Sequence, residues 1–204
     1  MPTILLLARH AAHAQLGLKL TGRGEDHGLT EDGHAQARGL AARLRRETIT
    51  ALYASPRRRA VETAALLGAA LSLNVREEKA LDEIDFGAWT GRDFAELEEL
   101  PVWRSWNEQR ATASPPGGEA MQEAQSRVLR WTGLLPARHP DEVILAVSHA
   151  DVIKAAVCAH LGLTLDAHWR FDIGPASLSA LELWPGGGRL RFLNDASVLA
   201  GEAP

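Results

Sequence analysis

Residues 4–7 form an unbroken apolar run that stops at Arg9-His10. Alternating polarity would mark a strand with one wet face, whereas continuous apolarity asks for burial on both faces, and so for a sheet with helices on either side. Residues 142–147 read as a second strand, apolar from Val143 to Val147, and also end in polar residues, Ser148-His149. Between the two runs, strand and helix signals alternate, which predicts an α/β domain with a largely parallel sheet. In such sheets ligands bind beyond the carboxyl ends of the strands, and both histidines are placed on that edge.

The local signals are specific. Thr30 can cap a helix that has Glu31 and Asp32 in its first turn and Ala37, Leu40, Ala41 and Leu44 at helical spacing, ending near Glu47. Residues 49–54 read as a strand. Ser55-Pro56 then reads as an N-cap with proline at the first helical position, and Ala60, Val61, Ala64, Leu67 and Leu71 share one face of the following helix. Residues 73–81 read as a third strand and residues 82–91 as a loop. Between about 90 and 140 the composition shifts to Trp, Glu, Arg and Pro, which predicts a helical insertion with a helix over residues 119–135. Residues 151–163 read as a helix, and residues 177–184 and 189–193 as a closing hairpin around Pro-Gly-Gly-Gly. Residues 16–28, with four glycines among charges, form a loop able to approach a ligand.

Charge and cysteine content exclude whole classes of function. With 22 Lys+Arg against 26 Asp+Glu the net charge is −4, which leaves no broad basic surface for nucleic acid. Cys158 is the single cysteine, so no intrachain disulfide or Cys-based zinc cluster can form, and its apolar helical neighbours predict core packing. No apolar run reaches the roughly 20 residues of a membrane span, and the N-terminus lacks a signal-peptide pattern, so a cytoplasmic protein is expected. Six tryptophans leave room for an exposed aromatic patch and hence a homodimer, although packing of the insertion is their more ordinary role.

Chemistry concentrates in a few residues. Arg9-His10 and Ser148-His149 end two strands, where a polar terminus facing water competes with a shared site. Arg57, Arg58 and Arg59 open a helix, but at about 100° per residue only one or two of them can face one crevice. A helix N-terminus with an arginine fork suits a phosphate. Of Asp82, Glu83 and Asp85, one carboxyl with a raised pKa can serve as general acid, and spacing does not select which. Neutral imidazole as nucleophile, arginines on the phosphoryl oxygens and a protonated carboxyl at the leaving group make a two-step phosphate chemistry. Nothing in that set demands a metal. His10 and His13 at spacing three on a strand-to-loop junction lack ligand logic, no His-Glu-x-x-His or Walker-type loop occurs, and no metal or cofactor is expected.

Taken in order, these segments resemble the histidine phosphatase superfamily, the clan that includes cofactor-dependent phosphoglycerate mutases. The resemblance is carried by Leu7-Ala8-Arg9-His10, Gly22 through Asp26, Leu29-Thr30-Glu31-x-Gly33-x-x-Gln36-Ala37, Ser55-Pro56-x-x-Arg59-Ala60-x-x-Thr63-Ala64, Leu81-x-Glu83-x-x-Phe86-Gly87-x-Trp89-x-Gly91, Pro116-Gly117-Gly118-Glu119 and Val147-Ser148-His149. It implies a three-layer α/β/α sandwich over residues 1–204, with a small helical insertion at about 90–140 over the active site. It further implies His10 as the nucleophile that becomes phosphorylated, Arg9 and Arg59 as phosphate ligands, Glu83 as proton donor and His149 as a second histidine contacting the phosphoryl group. Arg57 and Arg58 keep a surface reading, and Asp82 and Asp85 a loop reading.

Ala11 and Ala12 stand where the family carries Gly-Glu, Ala150 where a Gly follows Ser-His, and Leu16 where the mutases carry an asparagine. The alanines are expected to add methyls next to the pocket and to restrict backbone that glycine could take to positive φ. A mutase must keep water from its phosphohistidine, and a hydrolase must admit it. The expectation is therefore a metal-independent phosphatase acting on small-molecule phosphate monoesters. The alternatives are a phosphoglycerate-type mutase and a non-catalytic phospho-ligand-binding module. Residues 15–28 with Arg92, Trp103, Arg104 and Trp106 are candidates for the substrate side.

Overall fold

The central strands of the sheet send alternate side chains into two different apolar layers, which is why they read as continuous apolar runs. The computed structural model of the chain describes residues 2–24 and 27–196. Glu25 and Asp26, which end one of the family-like segments, lie outside the described residues, as do the last eight. Six strands, β1 (Thr3–Arg9), β2 (Ile49–Ala54), β3 (Val75–Glu77), β4 (Val143–Ser148), β5 (Leu178–Trp184) and β6 (Gly187–Asp195), form one sheet in the order β3-β2-β4-β1-β5-β6. The pairings β3-β2, β2-β4 and β4-β1 are parallel, and the β5-β6 hairpin closes the sheet antiparallel against β1.

Leu6, Ala8, Leu52, Ala54, Leu145 and Val147 point to one face. There they meet helices α1 (Glu31–Leu44) and α2 (Arg58–Leu71) through Leu40, Leu44, Ala60, Ala64 and Leu67. Leu5, Leu7, Ile144, Ala146 and Leu181 point the other way, onto Trp131, Leu135, Ile153 and Val157. Two short helices, α3 (Phe94–Glu98) and α4 (Pro101–Glu108), lead into the long helices of that face, α5 (Met121–Arg138) and α6 (Ala150–His160). A third apolar cluster, built on Trp89, Trp103, Trp106, Phe86 and Met121, packs α3 and α4 against Ala155 and the buried Cys158 of α6. Packing is thus the main role of the tryptophans in this region. No helix among the described residues is long and apolar enough to cross a membrane.

Several boundaries differ from expectation. Ser55-Pro56 does not cap α2, which begins at Arg58 with Arg57 in the cap position. The Ser55 hydroxyl is engaged instead with His149 and Asp82, at 2.7 and 3.3 Å. Residues 73–81 hold only the three-residue edge strand β3, because the Glu78 carboxylate accepts from the Ala80 N–H and starts a 3-10 turn. The expected helix at 119–135 runs later, to Arg138, with Pro136 in its last turn, and α1 stops at Leu44.

Thr30 caps α1 as expected, its hydroxyl accepting from Gly33 N–H, and the same helix terminus clamps the chain beyond β1. Ala12 O accepts from Thr30 N–H at 3.0 Å, and Ala12 N–H donates to the Gln36 side chain at 3.0 Å. A Cβ on Gly33 would lie 2.0 Å from Ala12 O, which is backbone and cannot step aside. Gly33→Ala is therefore expected to destabilise the protein by about 1–3 kcal/mol, read as a lower midpoint of thermal unfolding.

Among the described residues, positive φ outside glycine occurs at Ser72, Asp141, Ala176 and Asn194. Ala11, Ala12 and Ala150 thus occupy ordinary backbone, contrary to the expected restriction. Ala11 is fully buried in the first apolar layer and Ala150 opens α6.

Candidate active site

In β1 and β4, Arg9 and Ser148 are register partners, so His10 and His149 leave adjacent parallel strands at the same height. Their rings lie 5.1 Å apart. His10 is 3% exposed, its main-chain N–H donates to Ser148 O, and its Nδ1 lies 2.8 Å from Ala11 O. A carbonyl only accepts, so that contact puts the ring proton on Nδ1 and leaves the Nε2 lone pair unencumbered. Burial, then Arg59 and Arg9, holds the His10 pKa well below the ordinary imidazole value. The ring is neutral at neutral pH.

Arg9 fixes its guanidinium through Nη1 to Ile173 O at 2.6 Å, while its buried Nε has no protein partner. Arg59 projects from the first turn of α2 with a side chain 2% exposed. Its Nη2 donates to Gly22 O at 2.9 Å and lies 3.2 Å from His149 Nδ1 and 3.9 Å from Glu83 Oε2. A guanidinium only donates, so His149 Nδ1 accepts and the ring proton sits on Nε2, directed at Ser55 Oγ. Burial, then Arg59, depresses the His149 pKa as well.

Glu83 Oε1 accepts from Ile84 N–H at 2.9 Å, and Oε2 faces His149 Nδ1 at 3.5 Å. Two guanidiniums grip its main chain: Arg23 Nε and Arg127 Nη2 donate to Glu83 O at 2.7 and 3.2 Å. Burial is the largest influence on its carboxyl and Asp151 adds to it. Together they outweigh Arg59 and the Ile84 hydrogen bond and push the pKa up to about 7. A carboxyl poised there can both give and take a proton.

That shift has a stability consequence. Between its ordinary pKa of 4.5 and the folded value of about 7, the folded state binds more protons than the unfolded one. Stability from this group is therefore present below pH 4.5 and lost as pH rises through 7. Glu83→Gln, which cannot ionise, is expected to unfold later than the parent at pH 8 by about 1–3 kcal/mol, and to show little difference near pH 4.5. Thermal melts at the two pH values check this.

Arg9, His10, Arg59 and Glu83 line one cavity of about 550 Å³, and His149, fully buried, stands behind its wall. The other candidates divide. Arg58 is exposed and pairs with Glu62, as a surface reading requires, but Arg57 is not a surface group. Its Nε meets Asp82 at 2.9 Å and its Nη1 donates to Arg23 O. Asp82 is a buried anchor that also accepts from Ser55 and from Glu83 N–H, and Asp85 accepts from Gly87 N–H. Leu16, Gly17, Lys19, Leu20, Thr21 and Gly22 bring the glycine-rich loop onto the cavity wall, and Trp103 joins them. Arg92 pairs with Glu96 and Arg104 donates to Glu98 O, and neither is on that wall. Trp106 is wholly buried beneath the Arg110 guanidinium, 4.4 Å from its ring centroid.

Sequence reasoning missed Asn107, Arg110 and Asp151, which line the cavity as a linked set. Arg110 Nη1 donates to Asp151 Oδ2 at 3.0 Å and Nη2 to Asn107 Oδ1 at 2.8 Å. Asp151 follows His149 by two residues, which was the signal available for it. Arg110 lies in a polar stretch without periodicity and gave none.

Residues 5–196 match the histidine phosphatase superfamily (branch 1). Phosphoserine phosphatase 1 of Hydrogenobacter thermophilus is 33% identical over 184 residues, covering 88% of this chain and 86% of that protein. The 2,3-bisphosphoglycerate-dependent phosphoglycerate mutase of a Methylobacterium species is 32% identical over 91% of this chain and 89% of its own. Among solved structures, mycobacterial glucosyl-3-phosphoglycerate phosphatase superposes with a TM-score of 0.86 at 27% identity, over 96% of this chain and all of that one.

Proposed function

This chain belongs to the histidine phosphatase superfamily, and from that membership we propose that it hydrolyses small-molecule phosphate monoesters through a phosphohistidine on His10. The observation that carries the reading is a neutral imidazole, with Nε2 unencumbered, sharing a cavity with two arginines and a carboxyl of raised pKa.

In the first step the Nε2 lone pair attacks phosphorus and the P–O bond to the leaving group breaks. Protonated Glu83 gives its proton to the departing oxygen, so an alcohol leaves rather than an alkoxide. Arg9 and Arg59 neutralise the phosphoryl oxygens, with His149 holding Arg59 from behind. In the second step water attacks phosphorus while the Glu83 carboxylate takes a water proton. The P–N bond breaks, its electron pair returns to Nε2, and inorganic phosphate leaves. The site returns to its starting protonation.

A cavity of about 550 Å³ suits a metabolite-sized ester. Residues 90–140 read as a helical insertion that walls the leaving-group side with Phe94, Trp103, Asn107 and Arg110. Relatives named for phosphoserine and for glucosyl-3-phosphoglycerate support a small-molecule substrate. The mutase relative supports a second reading, isomerisation of a phosphorylated acid. Against it, Leu16 offers the cavity wall no hydrogen-bond donor.

The test is release of inorganic phosphate from p-nitrophenyl phosphate and a panel of metabolite phosphates, with and without EDTA and with His10→Ala as control. EDTA-resistant release that depends on His10 is the expected result. Isomerisation stimulated by a bisphosphate primer, without net phosphate release, would replace the phosphatase reading by the mutase one.

A further inference from the structure

A third imidazole stands beside the two already described. His13 lies where the chain turns away from β1, its backbone bridged to Leu29, and only 6% of its surface is exposed. Its ring centroid is 5.3 Å from that of His10, and the ring stacks nearly parallel to His27 at 6.5 Å. It lines the same cavity as Arg9, His10 and Arg59.

The two ring nitrogens differ in surroundings. Nδ1 is buried with no hydrogen-bond partner, so the polar atom the ring presents to the cavity is Nε2. A proton on Nδ1 would be a buried donor with nothing to receive it. The favoured tautomer carries its proton on Nε2 and points an N–H at the substrate. Burial, then Arg59, His27 and Arg9, lowers the His13 pKa to about 4. The donor is therefore neutral at working pH and adds no positive charge to a cavity already lined by Arg9, Arg59 and Arg110.

We propose that His13 is a further catalytic residue, its Nε2–H donating to a non-bridging oxygen of the phosphoryl group as that group passes to His10 and then to water. The inference rests on the phosphatase reading. A transferring phosphoryl group carries three non-bridging oxygens over which negative charge is spread, and a fixed neutral donor adds to what Arg9 and Arg59 supply. It does so without raising the electrostatic penalty on the nearby nucleophile.

Two variants separate donation from packing. His13→Phe keeps an aromatic ring and loses the N–H, while His13→Gln keeps an N–H donor and loses the ring. With p-nitrophenyl phosphate, His13→Phe is expected to lower kcat/KM by about tenfold to a hundredfold and to weaken binding of inorganic phosphate, with His13→Gln recovering part of both. Wild-type kinetics and phosphate affinity in His13→Phe would overturn the proposal.

A measurement on the unmodified protein guards against a variant that does not fold. In ¹⁵N-histidine spectra His13 is expected as the Nε2–H tautomer, with that resonance shifting when inorganic phosphate is added. An Nδ1–H tautomer, or an Nε2 unmoved by saturating phosphate, would also overturn it. His10→Ala in the same assay keeps the two claims apart. Activity surviving there defeats the phosphatase reading itself, whereas activity lost there but intact in His13→Phe defeats only the role of His13.

Discussion

His10→Ala is expected to lower the turnover of every phosphate monoester by about 10⁴-fold or more, the size of loss seen when a covalent nucleophile is removed from a site whose members act as a unit. Burial and two arginines keep the ring neutral, so essentially all of the enzyme is in the nucleophilic form at pH 7. The Nδ1 contact to Ala11 O aims Nε2 outward before substrate arrives. Alanine removes the imidazole that takes the phosphoryl, and leaves the arginines and Glu83 in position. Affinity for inorganic phosphate is accordingly expected to change far less than turnover. Initial rates and calorimetric titration on one preparation check both halves, and a residual rate above about one hundredth of the parent would refute the covalent route.

The second large effect is at Arg59. This side chain touches the Gly22 loop and His149 and lies close to Glu83, with 2% of it exposed, so one substitution reaches most of the site. Arg59→Met is expected to reduce kcat/KM by about 10³-fold, through loss of charge-assisted contacts to the phosphoryl oxygens. Arg59→Lys should recover little, because a point charge cannot reproduce a planar fork held by two partners.

The pH profile gives an independent signature. Arg59 is the main charge lowering the His10 pKa after burial, and it also lowers that of Glu83. Removing it raises both. The acid limb, where His10 protonates, and the alkaline limb, where Glu83 ionises, are both expected to move to higher pH in kcat/KM. A profile of unchanged shape and position, merely scaled down, would mean that Arg59 acts only by binding substrate.

What could be read in advance followed the range of the forces involved. Local signals sufficed where neighbours in sequence decide the outcome: Thr30 caps its helix, and the double-faced burial of residues 4–7 and 143–147 is written in their composition. They misled at Ser55-Pro56. There a serine with every credential of a cap is claimed by His149 and Asp82, residues that lie far off in sequence. Spacing also left Asp82, Glu83 and Asp85 indistinguishable, since what separates them is desolvation and the guanidiniums around them, a property of the assembled fold. The resemblance singled out Glu83, and the burial that raises its pKa gives a physical reason for the choice. Arg57 taught the opposite lesson: a charged helix-start residue looked like surface and is a partner of Asp82. His13 was visible as a histidine three places past another, but its meaning depends on which ring nitrogen is walled in.

The sheet order also governs when this site comes into being during biosynthesis. β1, the strand that leads into the nucleophile, is made first, yet it pairs with nothing near it in the chain, only with β4 and β5. At about 5–20 residues per second, the ribosome needs on the order of ten seconds to reach Val143 after Ile4 has been joined. Throughout that interval a wholly apolar Ile-Leu-Leu-Leu-Ala segment has no native edge to join. The nascent chain therefore carries this apolar segment unpaired until β4 is made, and no truncated product ending before β4 can be enzymatically competent. Catalytic capacity arrives late, once β4 and β5 seat on either side of β1.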